Sequence, residues 1–333
     1  MDSRISIIIL NWNGWEDTIE CLESLYRINY SNFNIVVVDN ASEDESIEKI
    51  RKYANGKIEV KSKFLKYDTE NKPILMDEYT KKEVESHNDT IEKSSLNKKL
   101  ILIKNDKNYG FAEGNNIGIK YSLNALNSDY IFLLNNDTVV KKNFLGELIR
   151  AANLEDSIGI VGCKICYYDD SNKIWSSDCK IGWWTGSLPT NDSKIVKETD
   201  WVSGCGILIK ANLINEISLL DPELFFGWED IDYCIRAKNA NYKVIYNPNS
   251  IIWHKVSTSR KKLYENAFSP YYNRVKNRFL FLKILKRYSS KYQQITQFIF
   301  FLIVYAPVIS LILPIYDLAI GIIHSYSDNK LKD

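Results

Sequence analysis

Short, nearly all-apolar runs, each closed by a polar cluster and followed by an amphipathic stretch, recur through the first 160 residues. Ile7–Leu10, Ile35–Val38, Leu100–Lys104, Tyr130–Leu134 and Ile158–Val161 read as strands. Helices are expected over about Trp15–Tyr26, Glu45–Tyr53, Gly114–Leu126 and Asn143–Ala152, one after each of the first four runs. Strands that alternate with helices require right-handed crossovers and give a mostly parallel, doubly wound sheet. The runs do not alternate apolar with polar, as befits strands covered on both faces. The fold class is therefore α/β, and 333 residues supply a sizeable core. Beyond residue 200 the pattern resumes. WVSGCGILIK reads as a strand, followed by an aromatic-rich loop, a helix over Glu229–Asn239, a strand over Lys243–Tyr246 and then SIIWH.

Ligands of such sheets bind beyond the carboxyl ends of the strands. Four polar clusters follow strands and fall on one edge: Asn11-Trp12-Asn13-Gly14, Asp39-Asn40-Ala41-Ser42, the segment from Asn105 through Asn108, Gly110 and Asn115, and Asn135-Asn136-Asp137. Asp39 can accept hydrogen bonds from a ribose hydroxyl or a base edge. Equally, the loop it opens can serve the next helix, with Ser42 or Asp44 as its cap. No GxGxxG follows the first strand and no GxxxxGK[ST] occurs, which speaks against a dinucleotide dehydrogenase and a P-loop NTPase. Asn135-Asn136-Asp137 offers a carboxylate and an amide carbonyl two residues apart on a turn. Oxygen ligands so placed suit Mg²⁺ or Mn²⁺ held against a diphosphate, although Asn and Asp are also ordinary turn formers.

Glu229 and Asp230 open a helix, where the dipole favours acids in any case. Two carboxylates with Asp232 beside them exceed what capping needs, and one can take a proton from an acceptor hydroxyl. His254 closes an apolar strand; it is either a packed histidine or a nitrogen ligand. Cys163 and Cys166 form a CxxC without a second ligand pair, which reads as a core strand of small residues.

Together ILNWNG, VVVDNASEDES, NYGFAEGNNIGI, LLNNDTVV, VSGCGILIK, FFGWEDIDYCIR and the downstream His254 resemble the inverting family 2 glycosyltransferases, nearest the rhamnosyltransferase-like and polysaccharide-assembling branch. The resemblance spans about residues 4–280, apart from 62–99. It implies a GT-A fold (Rossmann-like, mostly parallel), a nucleotide-diphosphate-sugar donor, a glycan or lipid-linked glycan acceptor and a divalent cation, Mn²⁺ or Mg²⁺. By position it implies that Asp137 binds the cation, with Asn135 standing where the family motif begins with Asp, and that His254 is a second cation ligand. Asp39 is implied to contact the donor nucleotide, and Asn108, Gly110 and Asn115 to line the donor pocket. Asn11 and Asn136 are expected on the same donor side. Asp230, in the Glu229-Asp230 pair, is implied to be the catalytic base. Gly204 and Trp228 are expected on the acceptor side, with core packing the alternative for Trp228. Two other readings compete: a different nucleotide-sugar enzyme such as a pyrophosphorylase, and a non-catalytic membrane-docking scaffold.

The net charge of +1 conceals unlike parts. Residues 255–291 hold 11 Lys/Arg and one acid, whereas residues 1–254 carry −8. A net charge as near zero as +1 argues against a protein that coats nucleic acid. The division implies a catalytic domain over 1–254, a basic helical belt over 255–291 and an apolar segment over 292–326. No charge interrupts 293–316, a span of 24 residues. At about 1.5 Å per residue it matches the ~30 Å of a hydrocarbon core, although Pro307, Pro314 and Asp317 favour a kinked or shallow course. The expectation is a helical, membrane-associated tail, the belt on an anionic surface at the cytoplasmic face. The first apolar run is too short for a signal peptide, and six cysteines make no disulfide scaffold, so a reducing setting is expected. Residues 62–99, with 16 charges in 38 residues, read as a solvated surface insertion.

Overall fold

A computed structural model describes residues 3–86, 97–182, 188–224, 227–256 and 287–288. The chain divides into two compact units, Met1–Ile181 with Leu188–Asn277, and Gly182–Ser187 with Arg278–Asp333. The elements that follow all belong to the first. The apolar segment 292–326 and most of the basic belt lie outside the described residues. Among the described residues no helix is long and apolar enough to cross a membrane.

In chain order the elements are β1 (Ile5–Asn11), α1 (Trp15–Leu25), β2 (Phe33–Asp39), α2 (Ser46–Ala54), β3 (Met76–Thr80), α3 (Lys81–Glu85), β4 (Leu100–Lys104), α4 (Gly110–Asn124), β5 (Tyr130–Asn135), β6 (Thr138–Val140), α5 (Phe144–Ala152), β7 (Ile158–Tyr167), β8 (Ile174–Ser176), β9 (Asp178–Cys179), β10 (Thr190–Asn191), β11 (Lys197–Glu198), β12 (Gly206–Lys210), α6 (Ala211–Ile217), α7 (Glu229–Asn239) and β13 (Lys243–His254). The main sheet runs β11-β13-β7-β12-β5-β1-β2-β4-β3. β5, β1, β2, β4 and β3 are mutually parallel, as are β7 and β13. β12 lies antiparallel to both β5 and β7 and so joins the two parallel blocks without reversing either.

The apolar strands are buried on both faces for the expected reason. Ile5, Ile7 and Ile9 of β1 enter one core with residues of α1, α2 and α5, while Ile8 enters the other with residues of α4, α6 and α7. Helix α4 lies close on β1: a Cβ added at Gly114 would stand 2.6 Å from Leu10 Cδ1, and one at Gly118 2.8 Å from Ile8 Cγ2. Cys163 and Cys166 are both buried in β7.

Residues 62–99 depart from a plain surface insertion. Met76–Thr80 adds β3 to the sheet edge, parallel to β4, and Thr80 and Glu83 form a capping box that starts α3. The charges that hid this strand are paired across it. Glu78 receives Arg51 at 2.6 Å and Lys104 at 3.1 Å, and Asp77 pairs with Lys99. Deeper in the insertion Lys72 reaches the wholly buried Glu23 at 3.1 Å, where Arg27 and the Tyr53 hydroxyl also bind. Phe64 stacks on Trp253 with ring centroids 4.2 Å apart.

Candidate active site

Because β1, β2, β4, β5, β7 and β13 all point the same way, their polar C-terminal residues meet on one edge. One chain of hydrogen bonds ties three of the clusters. Asn11 Nδ2 donates to Asp39 Oδ1 at 2.7 Å, the Thr18 hydroxyl donates to Asn11 Oδ1 at 2.7 Å, and Asn136 Nδ2 donates to the Thr18 hydroxyl at 3.1 Å. Gly14 opens α1 beside this chain, and a Cβ there would meet Asn136 Nδ2 at 2.9 Å. Asp39 is buried. Its Oδ1 also accepts from the Ser42 hydroxyl at 2.6 Å, and its Oδ2 from the Ser42 N–H at 3.0 Å. Ser42 thus braces Asp39 instead of capping α2, and Asp44 accepts from the Ser46 N–H at 2.9 Å.

A second network joins the ends of β2 and β4. Asn40 donates to Asn108 Oδ1 at 2.8 Å and to the Gly110 carbonyl at 3.1 Å, and accepts from the Tyr109 N–H and from Asn105 Nδ2, both at 3.0 Å. Gly110, at φ +76°, takes the left-handed conformation that glycine adopts without penalty, and its N–H donates to Asn108 Oδ1. Asn115 is buried one turn into α4 and bonds back to the Phe111 carbonyl at 2.9 Å. The expected donor-side residues therefore come together as one rim, fixed by amides.

Asp137 and His254 also meet. β6 runs antiparallel to β13 with Thr138 opposite His254, which brings His254 Nε2 to 3.0 Å from Asp137 Oδ1, both residues being buried. Trp175 sets its ring against the imidazole at 4.7 Å, and among the described residues the buried His254 Nδ1 has no hydrogen-bond partner. A carboxylate oxygen and an imidazole nitrogen about 3 Å apart match two adjacent ligands of an octahedral ion bound at about 2.0–2.1 Å. The pair therefore fits a hard divalent cation with positions left for phosphate oxygens. Asn135 takes part through its backbone: its N–H donates to the Cys205 carbonyl at 3.1 Å, and its carbonyl accepts from Thr138 Oγ1 at 2.6 Å. Among the described residues no group of three or more His, Cys, Asp or Glu side chains gathers as a metal site.

Beside the pair is an ion cluster that inspection of the sequence did not single out. Lys255 places its ammonium 2.5 Å from both Asp17 Oδ1 and Glu20 Oε2, on the first turns of α1. Burial pushes the Lys255 pKa down, but the hydrogen bonds and charges of Asp17 and Glu20 outweigh it and hold the value above the ordinary lysine range.

On the other flank, Asp230 accepts from the Gly204 N–H at 2.9 Å (Oδ2) and from the Ile231 N–H at 2.8 Å (Oδ1). Burial raises its pKa above the usual carboxyl value, while these two donors draw it back. Gly204 is packed between Asp230 and Phe111, each 3.5 Å from the place of its absent Cβ, so the start of α4 and Asp230 share a wall. Trp228 is buried and begins α7 at φ +74°, a conformation costly for a bulky residue. Glu229 is buried in the first turn. Asp232 is given to Arg236 at 2.8 Å, which in turn holds the Ile217 and Leu219 carbonyls. Thr18, Asp17 and Lys255 lie beside these residues and carried no signal in the sequence, whereas Asn40 and Ser42 stood in the strand-end cluster with Asp39 but without the bracing contacts found here.

Residues 79–273 match the family described as glycosyltransferase like family 2, and residues 6–72 match glycosyl transferase family 2. The low-salt glycan biosynthesis hexosyltransferase Agl10 of Haloferax volcanii is 24% identical over 244 residues, 72% of this chain and 63% of that protein. The rhamnosyltransferase WbbL of Escherichia coli K12 is 25% identical over 180 residues, 48% of this chain and 66% of that one. The matched part thus spans just under two thirds of each relative. The crystal structure of GalNAc-T7 with UDP, GalNAc and Mn²⁺ is similar in fold, with a TM-score of 0.54 at 15% identity over 76% of this chain and 44% of that one. The α/β, GT-A-like architecture with a mostly parallel central sheet is the one observed.

Proposed function

This chain belongs to the family 2 glycosyltransferases, and on that premise we propose that it moves a sugar from a nucleotide-diphosphate-sugar donor to a hydroxyl of a glycan or lipid-linked glycan acceptor, with inversion. The observation that carries this reading is the meeting of Asp137 and His254 on the edge where the donor rim and Asp230 also lie. A rhamnosyltransferase among the relatives supports a deoxyhexose as the sugar moved.

In this reading the rim of Asn11, Asp39, Asn108, Gly110, Asn115 and Asn136 seats the nucleotide end of the donor. Its pre-bonded amides move little on binding, so less ordering is lost. Asp137 and His254 would hold Mn²⁺ or Mg²⁺, which when bound would supply positive charge to neutralise a diphosphate. Asp230 takes the proton of the acceptor hydroxyl as that oxygen attacks the anomeric carbon. The backbone N–H groups of Gly204 and Ile231 aim its carboxylate while Glu229 and Trp228 shape the wall beside it. A single displacement needs no carboxylate nucleophile, and none is assigned.

In the same reading the basic belt over 255–291 and the apolar segment over 292–326 associate the protein with an anionic membrane surface at the cytoplasmic face, which the charge division of the sequence supports. Deleting residues 292–333 and fractionating cells tests it: the membrane-bound share falls, and an unchanged share refutes a role for the tail.

Activity is tested by a donor screen that detects released nucleoside diphosphate, run with and without Mn²⁺ or Mg²⁺. One donor giving acceptor- and cation-dependent release is expected. Release from no donor, or release indifferent to chelation, overturns the corresponding part of the proposal.

A further inference from the structure

A histidine that ligates a metal through one ring nitrogen usually donates the other N–H to a carboxylate or a carbonyl, which fixes both the tautomer and the plane of the ring. His254 faces Asp137 with Nε2, but among the described residues its buried Nδ1 meets no such acceptor. What stands against the ring instead is Trp175, with centroids 4.7 Å apart and planes at 77°. Aromatic rings favour this T-shaped contact, in which the positive edge of one meets the negative face of the other.

Trp175 reaches the imidazole through an irregularity of the sheet. β8 pairs antiparallel with β7, Ser176 opposite Ile165 and Ile174 opposite Cys166, which leaves Trp175 as an extra residue with none opposite it. β7 in turn pairs with β13, Tyr167 opposite His254. A bulge of one residue bends its strand and re-aims a side chain. Here the indole from two strands away lies on the His254 ring. The indole is itself braced: half-buried, it packs against the core that holds Ile165 and Ile252.

We propose that Trp175 is a positioning residue for the cation: its ring takes the orienting part that a hydrogen bond to Nδ1 plays elsewhere, and keeps His254 Nε2 turned to Asp137. This rests on the reading of Asp137 and His254 as the cation pair. The torsion that turns an imidazole about its stem is broad and roughly two-fold, so a ring with no bond at Nδ1 has freedom to lose. A rigid indole set against it removes that freedom beforehand, and less order is lost when the ion binds.

Mn²⁺ uptake by the full-length protein without nucleotide, followed by the electron paramagnetic resonance of the free ion, reads this apart from sugar transfer. Trp175→Leu is expected to weaken Mn²⁺ by about 10- to 100-fold, the scale on which outer partners tune metal affinity. Trp175→Phe, which keeps a flat ring in place, recovers most of the affinity. Should Trp175→Leu fold poorly, Trp175→Met fills the space with a flexible chain that holds no plane, and it behaves as Trp175→Leu does. In a His254→Ala background Trp175→Leu costs nothing further, because the group it orients is gone. Mn²⁺ affinity unchanged in folded Trp175→Leu and Trp175→Met overturns the proposal. So does a loss that Trp175→Phe shares in full, or one of equal size with and without His254, since either marks a packing role alone. If the wild type, Asp137→Ala and His254→Ala take up Mn²⁺ alike, the cation-pair reading itself has failed and this inference falls with it.

Discussion

His254 Nε2 lies 3.0 Å from Asp137 Oδ1 because β13 pairs antiparallel with a three-residue strand that begins immediately after Asp137. Neither side chain is placed by its own loop alone; the register of β6 against β13 sets the separation.

Asp137→Ala and His254→Ala therefore each lower cation-supported sugar transfer, by 10-fold to 100-fold or more if the residues bind the ion directly. The melting temperature should fall little with Asp137→Ala, since the register rests on backbone bonds. The check is the activity of each variant across a Mn²⁺ series.

Asp230→Asn is expected to lower kcat by about 10²- to 10⁴-fold, with donor affinity retained. The wild-type profile of kcat/KM loses activity as pH falls through a pKa above that of a free aspartate, about 3.9, because burial raises the Asp230 value. The stability sign is opposite. A carboxyl with a raised folded-state pKa stabilises the fold below its ordinary range, and that contribution is lost as pH rises through the folded value. At neutral pH Asp230→Asn should thus melt no lower than the wild type, and a clear fall would show that the carboxylate holds the wall together.

Gly162→Ala should destabilise the sheet by about 1–3 kcal/mol, the usual cost of overpacking. Its Cβ would stand 2.4 Å from both Cβ and Cγ1 of Val202, which are not the loose end of a flexible chain. Urea unfolding of the variant measures this; an unchanged midpoint would mean that the 202–205 turn shifts freely.

Lys72→Met should cost about 1–3 kcal/mol, since it strips one partner from the wholly buried Glu23, which keeps Arg27 and the Tyr53 hydroxyl. Combining it with Glu23→Gln should recover part of that loss. Thermal or urea unfolding of the two single variants and the double variant gives the coupling.

The apolar strands and the polar edge were legible in the sequence because an apolar run buried on both faces is a local signal, and Asp39, Asn105 and Asn135 each follow one; the strand order and the reversed β12 were not, since pairing partners leave no local mark. A helix over about Glu229–Asn239 was legible through its acidic first turn, and α7 occupies that span. β3 was not, since Asp77, Glu78 and the residues pairing with them look like solvent-facing charge until the partners are known. α4 starts at Gly110 and not near Gly114, because the turn that holds Asn108 against Gly110 is already helical on its far side. Ser42 and Asp44 were equal candidates to cap α2, and the choice, which depends on the direction of one hydroxyl, goes to Asp44 because Ser42 turns to Asp39. Lys255 read as the first member of a basic belt, and only the fold shows it turned inward to α1.

The reversed course of β12 bears on how the site comes into being. The donor rim and Asp137 are all in place on the chain by residue 137, but the sheet between β5 and β7 stays open until β12 enters it from the opposite direction. β13, which carries His254, then pairs with β7 and β6. In the proposed reading, a chain made only as far as Asp137 holds the donor-side residues and one member of the cation pair; His254 joins it only when β13 pairs with β6, and Asp230 only when α7 is in place beside Gly204.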